Sequence, residues 1–161
     1  MRKILSAVLS VLLILTVAFT TVPYSSAQGE VSLLWSDPMS VNDVAVSEDG
    51  NYLAAVNDTG VYFFASDNSN PLWWYPAAYR EDFLSVAISE DGNYVVAGNN
   101  TGSAGSIYYW ADATTLTDPP NPSPTWTSID LHGNIERRCL DISADGENVA
   151  VGGTGTDVYY F

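Results

Sequence analysis

The sequence predicts an all-β fold assembled from about three repeated, four-stranded units. Three observations carry that prediction. The hexapeptide "SEDGNY" stands at Ser47–Tyr52 and again at Ser89–Tyr94, and a looser copy, "SADGEN", occupies Ser143–Asn148. Each copy sits among short apolar segments rich in Val, Tyr, Phe and Trp, residues that favour pleated, packed surfaces. Beyond the first 27 residues, no segment carries the apolar period of a helix.

The amino-terminal stretch "MRKILSAVLSVLLILTVAFTTVPYSSAQGE" reads differently from the rest. Arg2 and Lys3 give a basic start, Ile4–Phe19 is an apolar run without charge, and Ser25-Ser26-Ala27 supplies small residues at a cleavage site. This three-part pattern predicts a secretory signal peptide over residues 1–27, cleaved after Ala27. The alternative is a retained membrane anchor, and the run is short for a span that needs about 20 apolar residues. The expected location is secreted or cell surface. Residues 28–161 then form one domain of ordinary size.

Within that domain the units span about 38–76, 82–131 and 135–161. The first strand of each is "DVAVS", "SVAIS" or "LDIS", in which Val44 and Val46 flank Ala45, and Val86 and Ile88 flank Ala87. An Asp-Gly corner follows, at Asp49-Gly50, Asp91-Gly92 and Asp145-Gly146. Glycine reaches the positive φ that a tight hairpin demands, and the preceding Asp can bond its own turn. The repeated hexapeptide is therefore a hairpin corner, needed once per unit.

The second strand, "YLAAV", "YVVAG" or "NVAVG", is apolar on both faces and rich in small residues, as expected of a sheet covered on both sides. The third is "GVYFFA", "SIYYWA" or "DVYYF"; the fourth is "PLWWY" or "PTWTSI". The spacing from Ser47 to Ser89 is shorter than that from Ser89 to Ser143, and two insertions, "SAGS" and "TDPPNPSP", account for the excess. Repeats of about 40–45 residues made of short strands mark propeller blades. The predicted architecture is a partial β-propeller of about three blades. The third unit stops at its third strand, whereas Val31–Asp37, "VSLLWSD", reads as a fourth-type strand over residues 31–36 without a blade of its own. Propellers usually need about 4–8 blades. Either further blades follow Phe161 in a longer chain, or two chains join head to tail in a six-bladed ring, each lending Val31–Trp35 to the other, or the chain is a bare three-blade wedge with an unpaired strand edge and two apolar faces in water.

Over residues 31–161 the chain resembles the loose WD-like and quinoprotein-like repeat propellers of exported prokaryotic proteins. The resemblance rests on the S-x-D-G corner, the small-residue second strand, the turns "NDTG", "NNTG" and "GGTG", and the aromatics Phe64, Trp110 and Phe161 that close the third strands. The Gly-His dipeptide of the WD family is missing, and only Trp110 supplies the Trp of its Trp-Asp pair. Ala65, Asp67 and Trp73, and more distantly Ala111 and Trp126, are similar to the blade-docking motif of quinoproteins; these Trp are expected to pack between blades. The resemblance implies a rigid scaffold with binding loops at its rims, or alternatively a fragment of a quinoprotein-type (PQQ-like) oxidoreductase.

Composition narrows the function. The formal net charge is −14, and the signal carries Arg2 and Lys3 but no acid, so the remainder is more negative still. Such a surface repels nucleic acid and anionic membranes. One cysteine, Cys139, excludes an intrachain disulfide and is expected to be a buried thiol. The single His132 and the absence of a G-x-S-x-G turn leave few nucleophile–base pairs; His132 is expected to be a surface or turn residue, and no catalytic residue is assigned. A metal site built on His or Cys is excluded by count, and the Asp- and Asn-containing loops lack calcium-loop spacing. No cofactor is expected.

Two sequons, at Asn57 and Asn99, hold equivalent repeat positions and are candidate N-glycosylation sites. Arg137 and Arg138 are the only clustered cations of the domain; they are expected to pair with Glu136 and Asp141, the alternative being an anion grip on the central channel. Deviations from a repeat map to loops on one face, often the binding face. On that ground Tyr75, Tyr79 and Arg80 of "YPAAYRED" are the candidate contacts for a protein or cell-surface partner. The expected function is that of an exported, non-enzymatic scaffold or binding module.

Overall fold

A computed structural model describes residues 32–102, 104–116, 121–154 and 157–161. The signal-peptide reading, Val31, and parts of both insertions lie outside them. The described chain is all-β, with three antiparallel sheets. The first sheet runs β1 (Asp43–Val46), β2 (Tyr52–Asn57), β3 (Gly60–Ala65) and β4 (Trp73–Pro76) in sequence order. The second repeats it with β5 (Asp82–Ile88), β6 (Val95–Asn100), β7 (Gly105–Trp110) and β8 (Trp126–Leu131). The third holds β9 (Ile135–Ile142), β10 (Val149–Gly153) and β11 (Tyr159–Tyr160). A single 3-10 turn, Ala113–Thr115, follows β7.

Side-chain alternation assigns each strand two faces. From the second sheet, Val95 and Ala97 pack with Ala54, Val56, Phe63 and Trp73 of the first. Val96, between them in sequence, joins Ile135, Leu140, Val149 and Val151 of the third. The second sheet is thus buried on both faces, which is why its strands show no polar alternation. Small residues set the close approach to the third sheet. A Cβ on Gly98 would lie 2.8 Å from Ile135 Cγ2, and one on Gly105 would lie 2.6 Å from Ile135 Cγ1.

The "SxDG" corners are alike in detail. In the first, Ser47 Oγ donates to Asp49 Oδ1 at 2.6 Å, Asn51 N donates to the same oxygen at 2.9 Å, and Tyr52 N donates to Ser47 Oγ at 3.0 Å. The second corner has the same three bonds at Ser89, Asp91, Asn93 and Tyr94. The third repeats them through Ser143, Asp145, Glu147 and Asn148. Gly50, Gly92 and Gly146 all have positive φ, between 71° and 76°.

Two expectations fail. The strand expected over residues 31–36 is absent from its described part, because Ser32–Trp35 pairs with no sheet edge. Instead Trp35 lies on Phe64 with ring centroids 5.5 Å apart, and its Nε1 donates to Ser66 O at 2.9 Å. The third unit's first strand also starts earlier than "LDIS", at Ile135. A bulge takes up the difference: β10 advances from Val151 to Gly153 while β9 spans Leu140 back to Ile135. Arg138, inside the bulge, has φ 60°.

Candidate functional site

A meander of antiparallel strands puts the β1–β2, β5–β6 and β9–β10 corners at one end of the sheets. The β2–β3 and β6–β7 turns and the links between sheets stand at the other. Both ends carry acids, and the arginines stand away from the corner end. Glu48, Asp49, Glu90, Asp91, Ala144 and Asp145 surround an open depression of about 460 Å³ at the corner end. Backbone bonds tie the corners in series: Glu48 N donates to Glu90 O at 3.0 Å, and Glu90 N to Ala144 O at 3.2 Å.

The three aspartates among these are spent on the turns themselves. The Ser47 hydroxyl and then the Asn51 N–H hold Asp49 below the ordinary aspartate range. The Asn93 N–H leads for Asp91, and the Ser143 hydroxyl for Asp145. Carboxyls whose folded pKa lies below the unfolded value, about 3.9, add stability that is complete above that value and is lost as pH falls through the folded pKa. The urea midpoint is therefore expected to drop on acidification below about pH 4. A triple Asp49→Asn, Asp91→Asn, Asp145→Asn variant should start lower at neutral pH and show a shallower acid limb. An acid limb as steep as the parent's would contradict this role.

Arg80 and Arg137 stand at the opposite end. Asn42, just before β1, donates to Asp58 Oδ1 at 2.7 Å and to Phe83 O at 2.9 Å, and accepts from Arg137 Nη2 at 2.6 Å. One amide therefore ties the three sheets together where their first strands meet. Next to it, Asp43 Oδ2 accepts from Ser85 Oγ at 3.3 Å and from Val86 N at 3.2 Å. Arg137 thus reaches Asn42 across the junction, where Glu136 and Asp141 were the expected partners. Ser40, Asn42, Asn57, Asp58 and Thr59 line a hollow of about 170 Å³.

The adjoining loop between β4 and β5 is held to this end by Ala77 N, which donates to Thr59 O at 2.9 Å. Glu81 closes it: Oε2 accepts from Ala78 N and Oε1 from Tyr108 Oη, both at 3.0 Å. The three candidate contacts of this segment separate. Tyr75 is packed among Phe83, Tyr108 and Trp110, with centroids 5.4–6.4 Å away, and belongs to the core between sheets. Burial, and then the Glu81 charge, push its phenol pKa up. Tyr79 is 88% exposed, with the Arg80 guanidinium 5.2 Å from its ring centre.

The sequons separate too. Asn99 is fully buried, and its Oδ1 accepts from Ser106 N at 2.9 Å, leaving no room for a glycan in this packing. Asn57 is half-buried; its Oδ1 accepts from Thr59 N and its Nδ2 donates to Ser40 O. Cys139 is half-buried rather than buried, on the outer face of β9. His132 is exposed in the link before β9. Among the described residues, no group of three His, Cys, Asp or Glu side chains converges as metal ligands would.

Asn42 and Asp43 were not singled out from sequence. Their signal lies in the mismatch of repeats: "VND" stands where the later units have "FLS" and "RRC". No protein-family model and no curated protein matches the chain.

Proposed function

We propose that the chain is an exported, non-enzymatic β-propeller module. Its three sheets are consecutive blades, and it binds a protein or cell-surface ligand at the end opposite the corners, through Tyr79 and Arg80. The single observation that carries the reading is the exposed Tyr79 with the Arg80 guanidinium on its ring, in a braced loop at the end opposite the corners. Of the cations of the described region, Arg80 stands beside the exposed Tyr79, Arg137 bonds Asn42 at the same end, and Arg138 lies on the third sheet. Tyr and Arg are the residues most often found to dominate binding energy. The loop that carries Tyr79 is fixed by Glu81 and Thr59, so little ordering is needed when a partner docks. Export rests on the Arg2–Ala27 pattern, and the blade reading on the repeated corner and the serial stacking of the sheets.

The test is retention of the secreted protein on cells of its own host. Mass spectrometry of the secreted protein should find it starting near Gln28. A Tyr79→Ala, Arg80→Ala variant with unchanged melting should be retained at least about fivefold less, equivalent to roughly 1 kcal/mol of contact energy. Equal retention would reject this site. Visible absorbance of a bound quinone, with dye reduction on adding an alcohol or sugar, would instead favour an oxidoreductase.

A further inference from the structure

We infer that two copies of this chain close head to tail into one ring, the outer face of the third sheet covering the outer face of the first. The inference rests on the blade reading above, and it comes from how the three sheets meet.

Register makes the faces comparable position by position. The second sheet presents Val86, Ile88, Val95, Ala97, Tyr108 and Trp110 to the sheet before it. The third presents Leu140, Ile142, Val149, Val151, Tyr159 and Phe161. The equivalent residues of the first sheet are Val44, Val46, Leu53, Ala55, Tyr62 and Phe64. The chemistry is the same, but no sheet among the described residues covers them. Val44 is 52% exposed, whereas its counterparts Val86 and Leu140 are 4% and 9% exposed.

The covering faces also repeat. Ala54, Val56, Val61 and Phe63 cover the second sheet, and Val96, Gly98, Ile107 and Tyr109 face the third. The third sheet offers Ala150, Gly152, Val158 and Tyr160 in the same places, again open, with Tyr160 72% exposed. Like the other two, its face ends in a β-branched residue and an aromatic, preceded by at least one small residue.

Three details fit a copy rather than an unrelated partner. Trp73 of the first sheet lies 5.6 Å from Trp110 and donates its indole N–H to Ala113 O at 2.9 Å. Trp35 makes the same dock on Phe64 and Ser66 O, at 5.5 Å and 2.9 Å, so it holds the place of a fourth-strand Trp from the blade before. Tyr52 lies against Gly92 and Tyr94 against Gly146, whereas Gly50 has open space before it, which the equivalent residue of the third sheet, Asn148, fills in the second copy. The chain of corner bonds, Glu48 to Glu90 to Ala144, continues in a ring by placing Ala144 N on Glu48 O of the second copy. A heterologous contact of this kind closes when the rotation per repeat allows it, and six blades lie within the usual range of about 4–8.

The experiment compares the chain mass from denaturing mass spectrometry with the assembly mass from light scattering, on the full chain as it is expressed. The expected ratio is two. Val44→Asp with Val46→Asp, at positions already exposed in the single chain, should bring it to one with unchanged circular dichroism. On a Cys139→Ser background, Glu48→Cys with Ala144→Cys should give a disulfide-linked dimer on a non-reducing gel. A ratio of one, a ratio above two, or a dimer that ignores both tests would overturn the ring. The blade reading is checked separately by single-chain stability, so a monomer with the mutational effects described below would reject the ring alone.

Discussion

Replacing Trp73 with alanine is expected to lower folding stability by about 3–5 kcal/mol, the usual cost of emptying a buried aromatic site. Trp73 is 1% exposed, stacks on Phe63 at 5.1 Å, meets Trp110 at 5.6 Å and donates to the Ala113 carbonyl of the next sheet. Removing it opens a cavity between two sheets and leaves that carbonyl without its donor. Its sequence neighbour Trp74 provides the control. Trp74 points to the other face, half-buried and stacked on Tyr62 at 6.1 Å, and Trp74→Ala should cost about 1–2 kcal/mol, in the ordinary range for a partly exposed site. Urea melts of both variants decide it. Equal losses would mean that Trp73 does not stand between sheets. Against a total stability of roughly 5–15 kcal/mol for a domain of this size, the Trp73 loss is severe.

The second large effect is at Gly92. Gly92→Val should destabilise the protein by about 2–5 kcal/mol, combining strain for a β-branched residue at φ 76° with a clash. A Cβ there would lie 2.5 Å from Tyr52 Cδ2 of the preceding sheet. Gly50→Val carries the same backbone strain, at φ 71°, but meets no atom within 4 Å, so about 1–3 kcal/mol is expected. The hexapeptides around the two glycines are identical, yet their tolerances should differ.

That contrast shows what was legible in the sequence. The corners were, because their bonds are local: Ser47, Asp49, Gly50 and Asn51 meet within five residues. Strand order was legible too, since each hairpin is set by its own turn and by alternation between faces. Contacts between sheets were not, because they join residues about forty positions apart whose chemistry is ambiguous when read singly. Tyr75 looked like a surface aromatic and packs on the core, because it is a residue of β4 whose ring meets Phe83 and Tyr108 of the second sheet. Arg137 looked bound to its neighbours and instead crosses to Asn42, because the bulge at Arg138 redirects the strand. Trp35 looked like a strand residue and is a dock, because its indole finds Phe64 and Ser66. Tyr79 was legible as exposed because it breaks the repeat, and it stands on the surface.

The central claim is that each repeat folds as one sheet and that the first two seat a tyrosine, Tyr52 or Tyr94, on the corner glycine of the next. The most direct test is a double-mutant cycle between Tyr52 and Gly92, measured by urea unfolding. Gly92→Ala alone should cost backbone strain plus the clash with the Tyr52 ring; in a Tyr52→Ala background the clash is gone and only the strain remains. The double variant should therefore be more stable than the sum of the singles implies, by about 1 kcal/mol or more, within the range for residues in contact. Additivity within about 0.3 kcal/mol, as for distant sites, would contradict the stacking of the first sheet on the second.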